Sequence, residues 1–204
     1  SLGEIGWEVA KRFVENEISE DDLKALVEDT LSFDIPLVEV EKDVYSLELF
    51  HGPTLAFKDV GARFMARCLG YFNQQNNRQV TVLAATSGDT GSAVANGFLG
   101  VEGVQVVLLY PKGKVSPFQE KQMTTLGQNI KAFEIDGSFD DCQRLVKTAF
   151  LDRDLSEQLG LTSANSINVA RLIPQSFYYF YAYGQLIDKT DKPIVFSVPS
   201  GNFG

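Results

Sequence analysis

From Val80 onward the chain alternates short apolar runs with helix-patterned stretches, and that rhythm leaves few architectures open. Val80–Ala85 reads as a strand. Thr86–Gly91 then turns into a helix from Ser92 to about Leu99. Val104–Tyr110 is a second strand, rich in β-branched and aliphatic residues. Ser116, Pro117 and Gln119 supply an N-cap, an N1 proline and an N3 amide, so a helix starts there and ends at Gly127. Asn129–Ile135 is a third strand, and Asp136-Gly137 is a turn. A helix over Phe139–Leu159 puts Cys142, Leu145, Val146, Ala149 and Phe150 on one face, and Leu161–Ala164 follows as a brief strand. Strands alternating with helices predict a parallel sheet with right-handed crossovers, hence an α/β fold.

The flanks are less regular. Gly3 to about Leu31 is helical in pattern, with a capping-box-like start at Ser19–Asp22 and apolar Leu23, Leu26, Val27 and Leu31. Asp34-Ile35-Pro36 ends this region, because proline restricts the residue before it. Leu37–Val40 and Val44–Phe50 are strand candidates. A helix then runs to about Phe72, and Asn73–Asn77 is a polar loop and the best boundary candidate. Near the far end, Val169–Ile187 reads as one helix whose aromatic run, Phe177–Tyr183, is apolar nearly all round and so expected to be buried. Ile194–Val198 is a last strand leading into the glycine loop Pro199–Gly204. Such a loop normally feeds a helix, and the chain begins without an initiator methionine, so a piece of a longer protein is expected.

Composition enters mainly by exclusion. The 204 residues carry a formal charge of −9, which argues against nucleic acid or an anionic membrane as partner. Any small anion bound here must be held by local positive groups. The two cysteines, Cys68 and Cys142, lie far apart in helix-patterned segments and read as buried or idle thiols of a reducing compartment. With a single histidine they cannot assemble a usual zinc site, so no metal is expected. There is no signal peptide and no membrane-length apolar run, which points to the cytoplasm.

Four stretches can carry chemistry. The first centres on Lys58, after a turn built on Gly52 and Pro53. Thr54 is placed to cap the following helix. Near a helix start the dipole disfavours an ammonium and lowers its pKa, and a neutral lysine can attack a carbonyl. A solvated surface lysine is the commoner setting for such a residue. His51 reads as a turn residue or local hydrogen-bond partner, with a role beside a ligand left open. The second stretch, Thr86–Gly91, can converge N–H groups and hydroxyls on a phosphate or carboxylate. It is neither a Walker loop nor a dinucleotide fingerprint. Asp89 suits a capping role or a protonated ligand group better than a bare phosphate. The third, Asn165 to Arg171, combines amides, a hydroxyl and an arginine suited to an oxyanion grip; a capped helix with a surface arginine is the alternative. The fourth, Ser200–Gly204, can curl N–H groups around a phosphate at a strand end.

Together HGPTLAFKD around Lys58, ATSGDTG at Ala85–Gly91, NSINVARLIPQ at Asn165–Gln175 and the terminal SGNFG resemble the threonine synthases. These are pyridoxal-phosphate enzymes of fold type II, the tryptophan synthase β-like α/β fold; the match is to their longer-chain bacterial and fungal branch. The resemblance implies that Lys58 holds pyridoxal 5'-phosphate through its amino group and moves protons at the substrate. It implies cofactor contacts from Asp89, Gly201, Asn202, Phe203 and Gly204. Substrate contacts fall to Thr86, Ser87, Gly88, Thr90, Asn165, Ser166 and Arg171, the last three gripping a substrate phosphate with help from Thr90. The implied reaction converts O-phospho-L-homoserine and water to L-threonine and phosphate. The implied layout is an N-terminal helical segment at 1–45, the lysine segment of a large domain at 46–79, a smaller α/β domain at 80–160, and the start of the remaining large domain at 161–204. The family's C-terminal part, including its pyridine-nitrogen contact, has no counterpart here, so these 204 residues alone are expected to be inactive. The partner is a small phosphorylated amino acid, and the assembly a monomer or homodimer. A serine or threonine dehydratase with the same cofactor is one alternative reading. A non-catalytic homologue or inert fragment that binds phosphate ligands is another.

Overall fold

A computed structural model describes residues 1–14, 17–76, 79–165 and 168–198. Two N-terminal helices, α1 (Leu2–Lys11) and α2 (Glu20–Thr30), start on serine caps. Ser1 makes a reciprocal capping box with Glu4, and the Ser19 hydroxyl accepts from the Asp22 N–H. An antiparallel hairpin follows, β1 (Leu37–Glu41) with β2 (Val44–Leu47). Next is the long helix α3 (Lys58–Asn76). The expected alternation begins with β3 (Val80–Ala85), α4 (Asp89–Gly97), β4 (Val104–Pro111), α5 (Pro117–Thr124) and β5 (Ile130–Ile135). It continues with α6 (Phe139–Leu151), α7 (Arg153–Leu159) and β6 (Leu161–Thr162).

The four strands form one parallel sheet in the order β5-β4-β3-β6. Its two faces are separated by the two-residue period of a strand. Val82 and Ala84 of β3, with Val106 and Leu108 of β4, pack against Ala93 and Val94 of α4 and Ala62, Met65 and Ala66 of α3. The intervening Leu83, Ala85, Val107 and Leu109 face Cys142 and Val146 of α6. Both faces are therefore covered, which explains why β3 and β4 read as nearly continuous apolar runs.

Helix α3 joins this sheet to the rest. Its Phe64 packs edge-on against Phe177 at 5.9 Å, within a cluster holding Ala10, Leu23 and Val27 of the N-terminal helices. Its Val60 meets Ile35 and Tyr178. Gly61 lets the helix pass another backbone, since a Cβ there would stand 2.6 Å from the Arg171 carbonyl oxygen.

Several expectations need correction. Asn73–Asn76 is helical, because the Asn73 amide is buried near the Gly103 carbonyl and the Asn76 amide donates to the Phe72 carbonyl. Helix α4 starts at Asp89, three residues earlier than read. The Phe139–Leu159 helix breaks at Asp152, which leaves helical geometry and caps α7 through the Leu155 N–H. Leu145 faces outward, so the packed face of α6 is narrower than its pattern suggests. Pro174 divides the last helical stretch into α8 (Val169–Leu172), a 3₁₀ turn (Ile173–Ser176) and α9 (Phe177–Leu186). On α9, Phe177, Tyr178, Ala182 and Leu186 are buried while Phe180 and Tyr183 are exposed. Residues 194–198 are irregular chain, not a strand. Among the described residues, no helix is long and apolar enough to cross a membrane.

The Gly61 contact is testable. Gly61→Ala should lower the unfolding free energy by about 1–3 kcal/mol, as other overpacked sites do. Gly3→Ala, on the first turn of α1 with nothing within 4 Å of the added carbon, should instead leave it unchanged or raise it by up to about 1 kcal/mol. Urea denaturation of the two variants reads both signs.

Candidate active site

Lys58 is the first residue of α3 and is 9% exposed. The turn before it is tied down by its neighbour. The buried Asp59 carboxylate accepts the Thr54 N–H at 2.9 Å and the Thr54 hydroxyl at 2.6 Å. Thr54 is therefore not the expected helix cap. Its hydroxyl donates to a side chain inside the helix, because the helix begins four residues further on. Burial pushes the Asp59 carboxyl up from its ordinary value, against the pull of these hydrogen bonds.

The Lys58 amine is held below its ordinary pKa, chiefly by burial. Asp89 opposes the shift and the Arg171 charge adds to it. The direction agrees with the sequence reading, but desolvation is the leading cause. Nζ also lies 5.5 Å from the Phe57 ring centroid. Two cavities meet at this residue. One, of about 1120 Å³, runs past Tyr45, Asp89 and Tyr179 to the chain at 193–198. The other, of about 710 Å³, lies between the Thr86–Thr90 turn and α6. Lys58 and Ser87 line both.

The Thr86–Gly91 turn is organised by Thr86. Its buried hydroxyl accepts the N–H groups of Gly88 at 3.0 Å and Gly91 at 2.7 Å. Gly88 takes φ +143°, which other residues adopt only under strain, and so lets β3 turn directly into α4. With the Thr86 hydroxyl engaged internally, Ser87 and Thr90 are the freer hydroxyl-bearing residues of this turn at the smaller cavity. Asp89 accepts a short hydrogen bond from the Gln119 amide, which in turn accepts from the Ser116 hydroxyl at 2.9 Å. An α5 residue thus holds the acid expected beside a cofactor.

Asn165 lines the smaller cavity, and its N–H donates to the Ser163 hydroxyl at 3.2 Å. Asn168 instead caps α8, accepting from the Ala170 N–H at 3.0 Å. Arg171 is 1% exposed, which excludes the surface reading. Its Nη1 donates to the Ala164 carbonyl at 2.8 Å, its Nε meets no partner among the described residues, and burial lowers its pKa to about 10. It stands behind the cavity, not on its lining, and secures the peptide next to Asn165. His51 pairs with Glu48 at 2.7 Å and lines neither cavity. Ser166, Gly201, Asn202, Phe203 and Gly204 lie outside the described residues. Cys68 and Cys142 are free thiols, and burial pushes Cys68 up to about 12.

The sequence pattern of the pyridoxal-phosphate dependent enzyme family matches residues 33–204. The chain belongs to that family. It is 54% identical over 198 residues to a threonine synthase of Buchnera aphidicola subsp. Acyrthosiphon pisum, covering 97% of this chain and 46% of that protein. It is also 54% identical over 196 residues to the threonine synthase of Escherichia coli, covering 96% of this chain and 45% of that one. The crystal structure of pyridoxal-phosphate-bound threonine synthase from Brucella melitensis superposes with a TM-score of 0.90 at 41% identity, over 100% of this chain and 45% of its own. The chain thus spans about half the length of the relatives it matches.

The residues present fit the cofactor of this family. A buried amine of lowered basicity, opening into two cavities, is the group a carbonyl cofactor requires. Sequence reasoning missed two supports of that amine. Asp59 was legible as an acid next to Lys58, but its grip on Thr54 was not. Gln119 showed only a capping signal, since its contact with Asp89 spans two crossover helices.

Two outcomes follow. Lys58 should be modified by an aldehyde and borohydride with a pH midpoint below 10.5, because its neutral fraction exceeds that of a surface lysine at every lower pH. Peptide mapping across a pH series measures this. Thr54→Val should cost about 1–3 kcal/mol at pH values where Asp59 is ionised, since the carboxylate loses a buried donor. The deficit should shrink as pH falls through the raised Asp59 pKa and the carboxylate protonates, as read by denaturant midpoints.

Proposed function

We propose that the protein to which this chain belongs is a threonine synthase, converting O-phospho-L-homoserine and water to L-threonine and phosphate. The observation that carries the reading is the smaller cavity. Lys58 reaches it together with Ser87, Thr90 and Asn165, and among the described residues no carboxylate lines it, although the chain is acidic overall. A site of that composition suits a substrate with a dianionic group. Similarity to threonine synthases over nearly the whole chain supports the same substrate.

In this reading Lys58 holds pyridoxal phosphate, with Asp89 beside the cofactor ring and Gly201, Asn202, Phe203 and Gly204 at the cofactor phosphate. When bound, the cofactor supplies the electron sink that makes the substrate Cα and Cβ protons labile. Lys58, freed by the substrate amine, takes and returns protons at those carbons. Its lowered basicity brings it closer to the range where a proton can be both taken and returned. Ser87, Thr90, Asn165 and Ser166 orient the phosphate as it leaves Cγ with the electrons of the C–O bond, and hydrogen bonds favour its growing charge. Arg171 acts from behind, through its field and its hold on Ala164. Water then adds at Cβ. The Gln119 bridge keeps Asp89 in place throughout.

The full-length protein tests this directly. Its visible absorption band should disappear in Lys58→Ala, and wild-type protein should release phosphate from phosphohomoserine with one threonine formed per phosphate. A band that persists in the variant removes Lys58 from its role. Keto-acid formation from serine or threonine, without phosphate release, would favour a dehydratase instead.

A further inference from the structure

We propose that Lys147 supplies the cation that meets the substrate's phosphate, and thereby sets the preference for phosphorylated over unphosphorylated amino acids; this rests on the functional reading above. The smaller cavity needs a positive group, and the expected one does not line it. Arg171 is buried and is not on that lining, so among the described residues the cations there are Lys58 and Lys147. Lys58 has other work at the reacting carbons, which leaves Lys147 for the phosphate.

Lys147 comes from α6, on the wall across from the Thr86–Thr90 turn. Gln143, one helical turn earlier, lines the same wall and adds an amide donor. Residues three and four positions from Lys147 are Gln143, Arg144, Phe150 and Leu151, so its own helix offers no acid to pair with it. Among the described residues no carboxylate lies within ion-pair distance of it. Arg144 on the same helix, by contrast, is bound to Asp141 at 2.7 Å. The wall around Lys147 is otherwise apolar, with Val146, Phe150 and Leu151. A cleft with low-dielectric walls and charge of one sign focuses its field on an entering anion. Lysine acts here as a point charge, which suits a phosphate that must depart after reaction better than a bidentate clamp does. The side chain is exposed, so its attraction is screened by salt.

The test uses the full-length holoenzyme with O-phospho-L-homoserine. Lys147→Ala should raise KM about 5- to 30-fold and leave kcat within about twofold, the signature of binding lost equally in ground and transition states. The inhibition constant of inorganic phosphate should rise by a similar factor. Lys147→Arg should recover most of both. Added salt should raise KM more steeply for wild type than for Lys147→Ala. Arg144→Ala, whose charge is paired away from the cavity, should behave as wild type. An unchanged KM and phosphate inhibition constant in Lys147→Ala, with wild type active on this substrate, would overturn the proposal and leave the functional reading intact. A fall in kcat with KM unchanged would overturn it too. Wild type inert toward phosphohomoserine would reject the functional reading itself, and this proposal with it.

Discussion

The burial of α3 over its first turns is the constraint on which the remaining structure depends. From Lys58 to Ala66 the helix touches the sheet through Ala62, Met65 and Ala66, the N-terminal helices through Phe64, and the Ile35 and Tyr178 cluster through Val60. A helix enclosed on several sides cannot rotate or slide without opening more than one core, since close-packed interiors transmit strain. The amine at its first residue is therefore held where two cavities meet, and the same burial that fixes its position lowers its basicity. Packing and reactivity have one cause.

Electrostatics around that amine run against the charge of the whole. In a chain of net charge −9, no carboxylate among the described residues lines the smaller cavity. Asp59, next to Lys58 in the chain, and Asp89, which acts on its charge, are both engaged. Asp59 is bound by Thr54, and Asp89 by Gln119. Arg171 is buried with no carboxylate partner among the described residues, an arrangement that disfavours its charge and raises the local positive field. An anionic ligand relieves that field, whereas an acidic side chain in its place would neutralise the site permanently.

Much of the fold was legible. Continuous apolar runs at Val80–Ala85 and Val104–Tyr110 could be read because both faces of the sheet are covered. Serine caps at Ser19 and Ser116 are local hydrogen bonds, so residues a few positions apart reveal them. The errors fall where a distant group overrode a local signal. Asn73 looks like a loop residue but is buried near Gly103, thirty residues away. Thr54 looks like a cap, yet Asp59 offers its hydroxyl a stronger acceptor in a buried setting. Lys147 had no signal at all, because nothing in α6 alone says which flank of the helix borders a cavity.

The sequence by itself determined the α/β alternation, the family resemblance and the lysine at its centre, since these rest on short-range pattern and on motifs read in order. Only the tertiary structure decided that Arg171 is sealed behind the cavity wall and that Lys147 stands on it. It also decided that Gln119 holds Asp89. Each of these depends on which elements pack together, and burial and field are properties of that packing, not of any stretch of chain taken alone.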